Sequence, residues 1–98
     1  MLFVFTGTDN PNSLELRLST RPAHLEFLKE IAESGALKLG GPFLDADGKP
    51  CGSMLVIEAP DAAAAKALVD RDPYAGAGVF ASTEIRQWNW TFGKPDTV

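Results

Sequence analysis

The sequence predicts an α+β domain in which a small antiparallel sheet carries two helices on one face. Short apolar segments rich in Phe, Val and Ile alternate with two segments of helical spacing, and residues typical of turns separate them. The resulting order, β-α-β-β-α-β, is that of a ferredoxin-like two-layer sandwich. Because crossover connections are right-handed, both helices fall on the same side of the sheet. We expect one domain over residues 1–98, since the chain has no internal repeat or linker.

The first part of the chain predicts a strand and then a helix that a proline divides. Residues 2–6 are apolar and rich in Phe and Val, as in a strand, whereas residues 8–13 have the composition of a loop. Helical spacing follows. Pro22 disfavours helical geometry in the residue before it. We therefore expect a short turn over 14–18 and a longer helix over 22–34.

The second part predicts a hairpin, a second helix and a last strand. The expected elements are, in order, strands over 36–43 and 53–58, a helix over 62–69, a loop over 75–78 and a strand over 84–90. Asp61 is a suitable N-cap for the second helix. That helix cannot continue through Pro73. The proline leaves the preceding residue, Asp72, in a fixed, extended turn.

The face of the sheet opposite the helices is also predicted to be apolar. In the first strand, Phe3 and Phe5 lie on one face, and Leu2 and Val4 lie on the other. A sheet with one face in water would alternate apolar with polar residues, and a large apolar patch is rarely left to solvent. We therefore expect a two-fold homodimer in which the two open sheet faces pack against each other.

Composition excludes several classes of partner. Nine Lys and Arg against thirteen Asp and Glu give a net charge of −4, and the cations are scattered singly. Duplex nucleic acid and anionic membrane surfaces both need a positive patch, so neither is expected to bind. No apolar run approaches the ~20 residues of a membrane span, and the apolar start of the chain is too short for a signal peptide. With Cys51 as the single cysteine, we expect a cytoplasmic protein from a reducing compartment.

No metal or cofactor is expected either. The sequence has no Cys/His cluster that could hold zinc. Gly76-Ala77-Gly78 lacks the third glycine and the preceding strand of a dinucleotide-binding motif. Asp45-Ala46-Asp47-Gly48 lacks the later ligands of a calcium loop.

His24, the only histidine, is the most informative single residue. It falls in the middle of an apolar helical stripe formed by Phe27, Leu28 and Ile31, with Leu25 and Ala32 beside it. An imidazole in such a place needs a hydrogen-bond partner. One interpretation is a structural histidine bonded to a backbone carbonyl. The other is a general acid/base oriented by a carboxylate.

Asp72 is the candidate for that carboxylate. It lies at the end of the second helix, and both helices pack on the same face of the sheet, so the two side chains can approach. Asp before Pro is also common turn chemistry, which leaves a purely local role open.

Other residues could complete a site around this pair. Glycines at a strand end, such as Gly40 and Gly41, permit a ligand to approach the backbone, although a bulge explains them equally well. Backbone N–H groups near Gly41 and Ser53 could hold an oxyanion. Arg17 and Arg21 could attract an anionic substrate, although such arginines more often pair with surface acids such as Glu15.

With these residues identified, the sequence resembles the YCII-related family. The similarity is carried by the run from Leu16 to Leu25 (Leu-Arg-Leu-Ser-Thr-Arg-Pro-Ala-His-Leu), and by Gly41-Pro42-Phe43, Gly52-Ser53 and Asp72-Pro73-Tyr74 in the same order. It extends from Met1 to about Trp90. The resemblance implies a dimeric α/β-barrel version of the ferredoxin-like fold, similar in shape to muconolactone isomerases. It also implies a His–Asp site in a cleft near the subunit interface, on His24 and Asp72.

The resemblance further implies a possible activity, because one member of that family is a dehydrochlorinase acting on a chlorinated hydroxyhydroquinone. Our first hypothesis is a small cofactor-independent lyase or isomerase, in which His24 moves a proton on a hydroxylated aromatic or lactone-like substrate. The residues expected to contact substrate are Arg17, Arg21, Gly41, Pro42, Phe43, Ser53 and Tyr74. The second hypothesis is a non-catalytic dimer that binds a small ligand or a protein in the same cleft. In that case His24 and Asp72 form a structural hydrogen bond.

Overall fold

The computed structural model describes residues 1–96, and these form a four-stranded antiparallel sheet in the order β2-β3-β1-β4. Its elements are β1 (Leu2–Asp9), α1 (Leu14–Glu33), β2 (Leu37–Leu44), β3 (Pro50–Glu58), α2 (Ala62–Val69), α3 (Pro73–Ala77) and β4 (Phe80–Trp88). Apart from the short α3, this is the ferredoxin-like α+β order that the sequence predicts. The predicted domain limit of 98 lies outside the described residues.

The core lies between the helices and one face of the sheet. Its buried side chains are Phe3, Phe5, Leu55, Ile57, Ala59, Ala65 and Val69. The strand register explains why these strand residues are the buried ones. Phe3 is paired with Ile57 and Phe5 with Leu55, and paired residues share a face of the sheet. Burial of each large side chain contributes about 1.5–3 kcal/mol, so these central positions anchor both helices.

The predicted division of α1 at Pro22 is wrong, because one helix runs from Leu14 to Glu33 with the proline inside it. Pro22 has no N–H to donate to the carbonyl of Leu18, but both residues are exposed, so water can satisfy that carbonyl. Arg17, before the proline, and His24, after it, are both buried. Packing on both sides of Pro22 therefore keeps the helix continuous. The buried side consists of Arg17, His24, Phe27 and Ile31, whereas Leu25 and Ala32 are exposed.

The predicted loop over 75–78 is also wrong, since residues 73–77 form the short helix α3. Asp72 is its N-cap, Pro73 occupies its first turn, and Gly78 ends it with φ 81°. The last strand begins at Phe80 rather than at 84 and ends at Trp88 rather than at 90. It is longer at its start because β1 continues to Asp9 and supplies partners there.

The opposite face of the sheet is apolar over only part of its area, since Thr6, Glu84 and Arg86 share it with the apolar residues that the sequence predicts there. Val4 is paired with Val56, and Leu2 is paired with Trp88, so these side chains share that face. Leu39 is paired with Val56 on the same side and is 44% exposed. We call this surface the open face. Among residues 1–96, no helix has the length and apolar character needed to cross a membrane.

Candidate active site

His24 and Asp72 form a buried pair between two helices. His24 lies on the inner side of α1, and Asp72 is the residue that caps α3. The His24 Nδ1 atom is 2.8 Å from the Asp72 Oδ1 atom, and their side chains are only 9% and 1% exposed. The structure therefore brings together the two residues that the sequence singled out, although 48 positions separate them.

The local fold holds the Asp72 carboxylate in one orientation. Its Oδ1 atom also accepts a hydrogen bond from the backbone N–H of Tyr74, at 2.9 Å. Since Oδ1 accepts from both groups, capping the helix and orienting the histidine need the same side-chain position. The second oxygen, Oδ2, is buried and has no hydrogen-bond partner within the described part of the chain.

This arrangement assigns the tautomer of the His24 ring. An ionised carboxylate is only an acceptor, so Nδ1 carries the hydrogen and donates it to Asp72. In the neutral ring, Nε2 is then an unprotonated acceptor. Nε2 makes no hydrogen bond to any described residue and is not sealed in the interior. It therefore offers a basic nitrogen to the cleft that His24 lines.

Tyr74 contacts His24 on one side and Arg17 on another. The rings of Tyr74 and His24 are nearly parallel, with centroids 3.8 Å apart, and the Arg17 guanidinium carbon lies 4.5 Å from the Tyr74 ring centroid. Burial raises the pKa of Tyr74, an effect that the positive charge of Arg17 reduces but does not cancel. The phenol therefore remains protonated at neutral pH and can donate a hydrogen bond.

Arg17 forms a second buried pair, with Asp9 rather than with Glu15. Its Nε and Nη2 atoms donate to the two carboxylate oxygens of Asp9 at 2.7 and 3.0 Å, and Nη2 also donates to the Ser53 hydroxyl at 2.7 Å. Burial alone would lower the pKa of Arg17, but the hydrogen bonds and charge of Asp9 raise it. The sequence assigned Asp9 to a loop, and nothing in its neighbours indicated this partner.

A cleft of about 200 Å³ lies between α1 and the hairpin of β2 and β3. Six of the residues predicted to contact substrate line it, namely Arg17, Arg21, Gly41, Pro42, Ser53 and Tyr74. Phe43, which was also predicted to contact substrate, does not line this cleft. Phe43 is paired with Gly52 on the open face, because successive residues of a strand point to opposite sides. The cleft also has apolar walls that sequence reasoning did not assign to it, formed by Leu18, Leu25, Leu28 and Leu55.

A larger and more open hollow of about 700 Å³ lies elsewhere, beside Met1, Lys38 and Trp88. It contains neither of the buried pairs, so its volume alone does not mark it as the site. Within the described residues, no group of three or more His, Cys, Asp or Glu side chains is arranged to hold a metal ion.

Comparison with known proteins assigns the family. The model of the YCII-related domain matches residues 1–89. The chain belongs to the YCII-related family. Protein YciI of Escherichia coli is 36% identical over 98 aligned positions, which cover 94% of this chain and all of that protein. The derivative of benzaldehyde biosynthesis cluster protein C of Emericella nidulans is 40% identical over 76 positions, covering 70% of this chain and 78% of that protein.

Among solved structures, this YCII-related chain is similar to 5-chloro-2-hydroxyhydroquinone dehydrochlorinase from Burkholderia phenoliruptrix, in complex with 2,5-dihydroxybenzoquinone. The TM-score is 0.83 at 34% identity, over 91% of this chain and 94% of that one. An antibiotic biosynthesis monooxygenase matches with a TM-score of 0.55 at 17% identity, over 91% of this chain and 97% of that one, and this likeness concerns the fold alone.

Proposed function

We propose that this YCII-related protein is an acid–base enzyme of the lyase or isomerase kind, acting on a small hydroxylated aromatic or lactone-like ring. One observation carries the proposal. His24 lines the cleft and its Nε2 atom has no hydrogen-bond partner in the described part of the chain, while Asp72 holds the other ring nitrogen at 2.8 Å. A general base needs this combination of a free nitrogen and a fixed ring.

The chemistry needs only proton movement and, in an elimination, a leaving group. His24 Nε2 takes a proton from a substrate hydroxyl or from an acidic carbon, and the electron pair of the broken bond enters the ring. In an isomerisation, the proton returns to another carbon. In a dehydrochlorination, the carbon–chlorine bond breaks and its electron pair leaves with chloride. Asp72 stabilises the protonated ring during the transfer. A positioned acid/base typically contributes about 10²–10⁴-fold to the rate.

The size and lining of the cleft favour a small ring. Small-molecule pockets usually measure ≈ 300–1,000 Å³, and this one is smaller, at about 200 Å³. Leu25, Leu28 and Leu55 provide apolar walls, whereas the polar groups of Arg17 and Tyr74 converge on it. The bound 2,5-dihydroxybenzoquinone of the dehydrochlorinase relative supports a hydroxylated six-membered ring as the substrate class.

The test is a screen of hydroxylated aromatics, chlorinated hydroxyhydroquinones and lactones. Turnover is followed by chromatography and by release of chloride. The proposal expects turnover of at least one compound, and a loss of about 10²–10⁴-fold in kcat for His24→Gln. Turnover that His24→Gln leaves unchanged would contradict the assigned role of His24.

A second candidate function is binding without catalysis. The observation that favours it is that Asp72 both contacts His24 and caps α3 through the backbone of Tyr74. The cap would stabilise the fold even in an inactive protein. The free energy of unfolding of His24 and Asp72 variants distinguishes the catalytic function from binding alone. A purely structural pair should lower the free energy of unfolding when either side chain is replaced, whereas a catalytic pair can be replaced with little loss of stability.

We also propose that a second copy of the chain covers the open face. Leu39 and Trp88 are large apolar residues on that face, 44% and 37% exposed. Val4, which is half-buried, lies on the same face and extends the patch toward Trp88. Association of two such faces would remove this surface from water in a closed, two-fold arrangement.

A further inference from the structure

Arg17 keeps part of its guanidinium free although it is almost fully buried. An arginine has five N–H donors, one on Nε and two on each terminal nitrogen. Asp9 takes one donor of Nε and one of Nη2, and Ser53 takes the other donor of Nη2. The two remaining donors are therefore both on Nη1. The Tyr74 hydroxyl can accept one of these two donors, which leaves the other for a ligand; the Nη1 atom is not sealed in the interior, and Arg17 lines the cleft.

Ser53 and Tyr74 add two more donors to the same cleft. The Ser53 oxygen already accepts from Arg17, so its own hydroxyl hydrogen remains to be donated. The Tyr74 hydroxyl is a hydrogen-bond neighbour of Arg17, from which its oxygen can only accept, so its own hydrogen remains to be donated. Its raised pKa keeps it protonated. Nε2 of His24 is the matching acceptor.

This set of groups defines the ligand that would satisfy it. The donor groups of Arg17, Ser53 and Tyr74 need oxygen atoms that accept, and the charge on Arg17 favours an oxygen that is ionised or becomes so. The acceptor on His24 needs a hydrogen that the ligand can give up. Arg21 also lines the cleft and forms no ion pair in the described part of the chain, so it adds positive charge. A ring carrying an ionised oxygen and an acidic hydrogen fits; an unsubstituted apolar ring does not.

We propose that Arg17 binds, through Nη1, an ionised oxygen attached to the substrate ring, and that Asp9 is the positioning residue that orients Arg17 toward this oxygen. The inference rests on the proposed function and names the substrate class for the same cleft. When His24 removes a proton, the electron pair left behind is delocalised onto this oxygen, and Arg17 stabilises the charge without any further reactant.

The geometry explains why Asp9 is needed. Its two oxygens bind Nε and Nη2 together, so the plane and direction of the guanidinium are fixed. An asparagine could accept from only one of these donors, and its NH₂ group would face the other. The guanidinium would then lose its direction, and its charge would be buried without a counter-ion.

The experiment measures binding of two probes by calorimetry. One is 2,5-dihydroxybenzoquinone, whose hydroxyls ionise readily, and the other is 2,5-dimethoxybenzoquinone, which has no hydroxyl to ionise. The wild type should bind the ionised probe at least about tenfold more tightly. Asp9→Asn and Arg17→Lys should each abolish that preference while leaving affinity for the dimethoxy probe within about twofold, and Asp9→Glu should restore part of it.

Asp70→Asn is the matched control, because Asp70 also pairs with a cation, Lys66, but on the exposed surface of α2. It should leave both affinities unchanged. Equal affinity of the wild type for the two probes overturns the inference without any variant having to fold, and so does a preference that survives Asp9→Asn. Turnover lost in His24→Gln with the preference intact supports both proposals. A preference without any turnover supports this inference and overturns the enzymatic function.

Discussion

The side chains of His24 and Asp72 meet at 2.8 Å inside the protein, one from the long helix and one from the cap of a short helix. The same carboxylate oxygen also holds the backbone of Tyr74 at 2.9 Å, and the Tyr74 ring stacks on the imidazole. The ring of His24 is thus fixed by a hydrogen bond at its edge and by an aromatic contact on its face. Little freedom remains for the ring except the gain and loss of a proton at Nε2.

Replacement of Asp72 should separate catalysis from folding. Asp72→Asn keeps an oxygen that can accept from Tyr74 and removes a buried charge, so we expect the free energy of unfolding to change by less than about 1 kcal/mol. Turnover should fall by at least about tenfold, because the amide stabilises the protonated ring poorly. Asp72→Ala, which loses the cap as well, should destabilise by about 1–3 kcal/mol. Urea unfolding and kcat on the same preparations check both expectations. Equal destabilisation by Asp72→Asn and Asp72→Ala would indicate that the charge of Asp72 itself stabilises the fold.

Alkaline pH should destabilise the protein through Tyr74. Burial raises the pKa of this phenol above the ordinary value of 10.0, so the folded state holds the proton more tightly than the unfolded state. Its contribution to stability is complete below about pH 10 and is lost as pH rises through the higher folded pKa. In Tyr74→Phe this part of the alkaline loss should be absent. Urea unfolding at several alkaline pH values measures it. Because Tyr74 is the only tyrosine, tyrosinate absorbance reports its titration directly, and ionisation below pH 10 would contradict the expectation.

Pro22 should be replaceable with a gain in stability. Its side chain is exposed, and alanine in its place can donate a backbone hydrogen bond to the carbonyl of Leu18. We expect Pro22→Ala to raise the free energy of unfolding by about 1–3 kcal/mol. Pro11→Ala is the control, since Pro11 is also exposed but lies in the loop before α1 and has no helical bond to gain. A loss of stability in Pro22→Ala would show that the proline has a role in packing.

The open face should control association. Val4→Glu places a carboxylate on this face opposite Arg86, with which a single subunit can pair it. Two associated faces would bury the charge, so we expect the variant to sediment as a monomer at concentrations where the wild type is a dimer. Ala63→Glu, on the exposed side of α2, should not alter the sedimentation coefficient. A wild type that is monomeric throughout the concentration series would rule out this use of the face.

Some of the site was predictable from sequence because local rules determined it. The helical spacing placed His24 on the buried side of α1, and the Asp72-Pro73 sequence marked a break in helical structure after the second helix, where the structure has Asp72 as the N-cap of α3. The order of elements followed from the same rules. Phe43 lies outside the cleft although Pro42 lines it, because side chains alternate along a strand and adjacent residues point to opposite faces.

Other features depend on contacts between distant segments, which periodicity does not contain. Asp9 looks like any polar residue at a loop, and only the packing of α1 over β1 brings Arg17 to it. The continuity of α1 through Pro22 likewise comes from the burial of Arg17 and His24 on either side. The early start of β4 follows from its pairing with β1, since the residues after Phe80, namely Ala81, Ser82 and Thr83, are small or polar and do not alternate like a strand.

The most direct test of the account is ¹⁵N NMR of the His24 ring, which is unambiguous because the chain has a single histidine. In the neutral ring at alkaline pH, we predict a hydrogen on Nδ1 and a free Nε2. Near neutral pH, addition of 2,5-dihydroxybenzoquinone should shift the Nε2 resonance strongly, because an ionised oxygen of the quinone accepts a hydrogen bond from the protonated nitrogen. In Asp72→Asn the Nδ1–H form should lose its dominance. A wild-type ring that carries its hydrogen on Nε2, or whose Nε2 does not respond to the added quinone, would contradict the assignment of His24 as the base.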